Sequence, residues 1–117
     1  MNRNKFACAA AFLFGGAVVQ AADVGDDGHA LLARCRDEAQ PAACFNALIA
    51  VADMHDVVAA WGVSPARWCM PADIAPPRLR AAVVAWLAHP ARTERELAAP
   101  ATGLIADAYA AAFPCGE

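Results

Sequence analysis

Four cysteines, Cys35, Cys44, Cys69 and Cys115, are the side chains best placed for covalent chemistry, and that chemistry is disulfide closure. An even number in an exported chain implies disulfides, and four cysteines allow three connectivities. Cys35–Cys44 and Cys69–Cys115 are favoured, because each pair flanks an expected helix junction or hairpin. Loop-closure entropy assigns about 3 kcal/mol to the shorter loop and about 4 kcal/mol to the longer one. No C-x-x-C occurs, so thiol exchange and the usual zinc spacings find little support.

Other reactive types are sparse. Ser64 sits in Val63-Ser64-Pro65, which is not a G-x-S-x-G elbow. No glycine-rich phosphate loop and no H-x-x-x-H pair is present. Asp53-Met54-His55-Asp56 is the best metal candidate, yet on a helix His55 points roughly opposite to Asp53. His89, before Pro90, reads as a helix C-terminal residue favoured by the dipole. Together these features argue against an enzyme and imply neither metal nor cofactor.

The compartment follows from the N-terminus. Arg3 and Lys5 precede an uncharged apolar run from Phe6 to Val19, which contains the fifth cysteine, Cys8. Val19-Gln20-Ala21 offers a cleavage site, so residues 1–21 are expected to be a signal peptide and residues 22–117 the mature domain. The run is shorter than the roughly 20 residues that span a bilayer. Without the leader, seven arginines face twelve carboxylates and no lysine remains. That balance argues against nucleic acid or an anionic membrane surface as partner.

The elements that position these residues read as helices, because strict apolar alternation is absent. The first is expected over His29 to Ala39, after Asp26-Asp27-Gly28, with Pro41 breaking the chain. The second runs from Ala42 to Trp61, with Gly62 placed to stop it. Cys44, Leu48, Val51, His55 and Val58 share one stripe of it, and Ile49, Met54 and Val57 widen the apolar arc, which predicts the central helix of the fold. A third starts near Pro76-Pro77, carries Leu79, Val83, Trp86 and Leu87 inward, and ends by Pro90. The last starts near Pro100 and ends at Phe113-Pro114, with Leu104, Ile105, Ala108 and Ala112 inward. Thr93-Glu94-Arg95-Glu96 matches a capping box and predicts a short extra turn at 93–98. The fold class is therefore all-α: a small disulfide-stapled domain of about four helices after a signal peptide.

Between the third and last helices, His89 to Leu97 holds the densest charge after the leader. Arg92, Glu94, Arg95 and Glu96 are expected to protrude there, since burial would strand charges and backbone groups. The segment is a candidate for insertion into a partner. Trp68, beside Cys69 on the loop from Gly62 to Ala75, reads first as a packing residue and second as a contact candidate.

These segments together resemble a known family. Cys69-Met70-Pro71, then Trp86-Leu87-Ala88-His89-Pro90, then Ala108 followed by Phe113-Pro114-Cys115, is similar to the Rap/Tai family of type VI secretion immunity proteins. Leu97-x-x-Pro100 before the last helix also fits, and Cys35 and Cys44 fit the family's first two cysteines. Ala47 and Ala50 stand where the family often has Tyr and Gly. The resemblance implies a helical periplasmic protein, often a dimer, that binds and occludes a secreted peptidoglycan amidase effector without catalysis of its own. Arg92, Glu94, Arg95, Glu96 and Trp68 are then the expected effector contacts. The alternative reading is a small periplasmic chaperone of the acid-stress type, which exposes apolar surface as its carboxylates protonate.

Overall fold

A computed structural model describes residues 26–116, so the expected signal peptide lies outside the described residues. These residues form α1 (Gly28–Arg36), α2 (Pro41–Ala60), α3 (Pro76–Leu87), α4 (Glu94–Leu97) and α5 (Ala101–Ala112). Among them there is no strand, only an isolated bridge between Asp27 and Pro100. The class is all-α, with four main helices and the short extra turn.

Local chemistry sets the boundaries. Asp27 caps α1, its carboxylate accepting the Ala30 amide at 3.0 Å. The helix stops at Arg36, short of the expected Ala39, because Asp37 turns extended and accepts the Ala39 amide on its own side chain. That exit brings Cys35 to Cys44 on α2, and the two form a disulfide with their Cα atoms 4.9 Å apart. Pro41 and Pro76 open α2 and α3, where their missing amides cost nothing. Gly62, at φ +70°, supplies the left-handed residue that ends the run out of α2.

The centre of the core is α5 rather than α2, which corrects the expectation for the longest helix. Ala101, Leu104, Ile105, Ala106, Ala108 and Tyr109 of α5 are buried, whereas α2 buries only Cys44 and Leu48. Ile49, Met54 and Val57, expected to widen the buried arc, are exposed, Met54 by 62%. Ala112 is exposed as well. The physical reason is the disulfide partnership at one end of α2 and the alanine-rich turns beyond it. The Cys44–Leu48 side, continued by half-buried Val51 and Ala52, is drawn against the core, and the opposite side of the helix lies along the surface. By length and composition alone α2 could cross a bilayer.

Tyr109 anchors the middle of the core. It is fully buried, and its hydroxyl donates to the Leu48 carbonyl at 2.8 Å. Burial pushes its phenol well above the ordinary range. Leu79, Val83 and Leu87 of α3 pack on α5 as their spacing predicts. The second disulfide, Cys69–Cys115, ties the loop after α2 to the chain end, and the Cys69 amide donates to the Phe113 carbonyl at 2.8 Å beside it.

Candidate functional site

The charged segment between α3 and α5 is a built turn. After α3 the chain reverses at His89-Pro90-Ala91, with His89 Nδ1 accepting the Ala91 amide at 3.0 Å and its carbonyl accepting the Arg92 amide at 2.9 Å. Thr93 then caps α4 reciprocally. Its hydroxyl accepts the Glu96 amide at 3.1 Å, while the Glu96 carboxylate accepts the Thr93 amide at 3.1 Å. A helix of one turn has little stability of its own, so these two bonds account for its being a helix at all.

Arg92 and Glu96 are consumed by this architecture. The Arg92 Nε donates to the Trp86 carbonyl at 3.0 Å and one terminal nitrogen donates to Glu96 at 3.1 Å. Its guanidinium also lies over the Trp86 ring. The Thr93 amide, and then Arg92, hold the Glu96 carboxyl below the usual carboxylate range. The expectation that all four charges protrude is therefore corrected for Arg92, whose side chain is 21% exposed. Its stem and plane cover Trp86, the least enclosed residue of the α3 stripe.

Glu94 and Arg95 are the members of the set that face outward. Glu94 is 89% exposed at its side chain and meets His29 Nε2 of α1 at 3.0 Å. The turn is seated on α1 through Gly28 too. A methyl group at that glycine would stand 2.8 Å from the Leu97 carbonyl oxygen, so only hydrogen permits the approach.

Trp68 is not a surface residue. It is 5% exposed, stacked on His55 with centroids 3.8 Å apart and edge-on to Tyr109 at 5.3 Å. His55 Nε2 accepts the Arg67 amide at 3.0 Å, which leaves Nδ1 to donate to Asp56 at 3.3 Å. The histidine thus pins the disulfide-tethered loop to α2. Among the described residues, no three His, Cys, Asp or Glu side chains are grouped to hold a metal.

One feature escapes the sequence reading. A groove of about 460 Å³ runs between α2, the loop at 64–68 and the first turn of α5. Ala50, Met54, Val58, Trp68 and Ile105 supply its apolar walls, and Arg34 and Arg67 stand along it. The available signal was the pair of small residues at Ala47 and Ala50, on the α2 face where a larger side chain would have filled the space.

A family model described as Rap1a immunity proteins matches residues 27–115. No curated protein and no solved structure matches the chain.

Proposed function

We propose that this chain, which belongs to the Rap1a immunity protein family, acts in the periplasm by binding a peptidoglycan amidase effector of type VI secretion and blocking its cleft. Protection comes from occlusion, and the chain performs no catalysis. The two disulfides suit an oxidising compartment, and the anionic mature domain suits a soluble protein partner.

The observation that carries this reading is the capped turn at Thr93–Leu97. It presents Glu94 and Arg95 outward from a backbone already fixed by Thr93, Arg92 and Glu96. A pre-ordered projection loses little freedom on docking, so more of its contact energy becomes affinity. Glu94 and Arg95 are the contacting pair, Arg92 and Glu96 hold the pair in position, and Trp68 supports the neighbouring groove from beneath. The family resemblance also implies pairing of two copies, which sedimentation of the mature protein tests directly.

Replacing Glu94 and Arg95 together by alanine tests the assignment. The account expects effector binding to weaken at least tenfold with the melting temperature unchanged. Wild-type affinity in that variant would remove the turn from the interface.

A further inference from the structure

The apolar surface of α2 is larger than the fold uses. Along one side, Ala50, Met54 and Val58 line the groove, and Met54 is 62% exposed. The same surface continues past Val57 to Trp61, which is 78% exposed, and to Val63 at 72%. Exposed apolar surface of this continuity marks an interaction site more often than it marks idle surface. Methionine and tryptophan are also the residue types that recur at such contacts.

The charges at the groove are one-sided. In a chain with more acidic than basic residues, the charged side chains lining it, His55 apart, are Arg34 and Arg67. Each has a counterion outside the groove lining: Arg34 pairs with Asp26, and Arg67 with Asp107 at 3.2 Å. The Arg67–Asp107 pair is half exposed on both sides, so exchanging Asp107 for a partner carboxylate costs little. An apolar trough flanked by cations complements an apolar side chain with a carboxylate beside it.

The groove also adjoins the capped turn. Ala101 and Thr102, in the first turn of α5, line it, and only Ala98, Ala99 and Pro100 separate them from α4. The Ala101 amide is fixed to the Asp26 carbonyl at 2.8 Å, so this connection is held at its far end as well.

We infer that the α2–α5 groove is a second contact for the effector, seating a large apolar side chain of that protein while Arg67 engages an acidic residue next to it. This inference rests on the proposed immunity function and names the chemistry that the partner must present. The turn at Glu94-Arg95 then blocks, and the groove anchors, so that specificity for one effector lies largely in the groove.

The test uses mature, disulfide-intact protein and the amidase that the wild type retains in a pull-down. Ala50→Glu places a carboxylate of the chain's own inside the groove at an exposed helical position that tolerates it. Met54→Ala removes the exposed lip. Arg67→Met keeps the stem and deletes the charge.

The account expects about tenfold or greater weakening for Ala50→Glu, a smaller loss for Met54→Ala, and unchanged melting temperatures. It also expects the salt dependence of wild-type binding to flatten in Arg67→Met. Wild-type affinity in Ala50→Glu, alongside weakened binding in the Glu94/Arg95 double variant, would overturn the groove and leave the immunity function standing. A change confined to the oligomeric state would overturn it too, and would assign the face to a second copy of the chain. Failure of the wild type to retain any amidase would remove both readings together.

Discussion

The guanidinium of Arg92 lies 3.8 Å from the centre of the Trp86 ring, which makes part of the most charged stretch of the chain a piece of its packing. Arg92 closes the α3 stripe over Trp86 and, through Glu96, fixes the first turn of α4. One side chain therefore couples the end of a core helix to the orientation of the exposed Glu94-Arg95 pair.

Removing that coupling costs stability first. Arg92→Ala is expected to lower the unfolding free energy by about 1–2 kcal/mol, from the lost cation–π contact and charge-assisted bonds. Arg92→Lys keeps the charge but not the flat face or the fork, and falls between the two. Urea unfolding measures both. An Arg92→Ala protein as stable as wild type would show that the stacking contributes nothing.

The capped turn is expected to loosen in acid. The folded pKa of Glu96 is lowered, chiefly by the Thr93 amide and then by Arg92. Its contribution is thus fully present above the ordinary carboxylate pKa and is lost as pH falls through the lowered folded value. Amide exchange at Thr93 and Glu96 should rise over that window, before the disulfide-stapled core opens. Thr93→Ala should raise exchange there at neutral pH and cost about 1 kcal/mol. Protection independent of pH would contradict the cap. Early collapse of the whole fold would instead favour an acid-activated chaperone.

Gly28 is a second control on the seating of the turn. Gly28→Ala should destabilise by about 1–3 kcal/mol, because its methyl group would press on the Leu97 backbone and on Leu104. A neutral or stabilising effect would mean that α4 does not sit against α1.

Much of the frame was legible because it is written in residues with one local meaning. Pro41, Pro76, Gly62 and the Thr93-to-Glu96 spacing each dictate a boundary, and each boundary lies where the local rule puts it. Burial was legible on α3, where Leu79, Val83 and Leu87 contrast with Arg78 and Arg80. On α2 the stripe of Cys44, Leu48, Val51, His55 and Val58 was legible and is buried or half-buried, but alanines all round the helix left the width of the apolar arc with little contrast to read. Ile49, Met54 and Val57, which are exposed, were read as inward for that reason. Trp68 as a surface contact and Arg92 as a protruding charge were misread for a different one. A loop residue has no period, and the contacts that enclose them, His55 against Trp68 and Trp86 beneath Arg92, are tertiary. The groove depends on two small side chains and three separate elements, which no local rule joins.

The two disulfides should part company under mild reductant. Cys35 and Cys44 are buried, whereas Cys69 and Cys115 are exposed. Alkylation and mass spectrometry should find Cys69 and Cys115 labelled first, with the α1–α2 link intact. Deleting Cys69–Cys115 by double substitution to alanine is expected to cost about 4 kcal/mol on loop-entropy grounds, for a separation of 46 residues. Simultaneous labelling of all four cysteines would contradict this order.

The most direct test of the central claim is inhibition. Mature, disulfide-intact protein is titrated into peptidoglycan digestion by candidate type VI amidases. The account predicts that one of them is silenced at a one-to-one ratio, and that the Glu94/Arg95 double alanine variant requires at least tenfold more protein. Undiminished cleavage by every candidate at micromolar immunity protein would contradict the account.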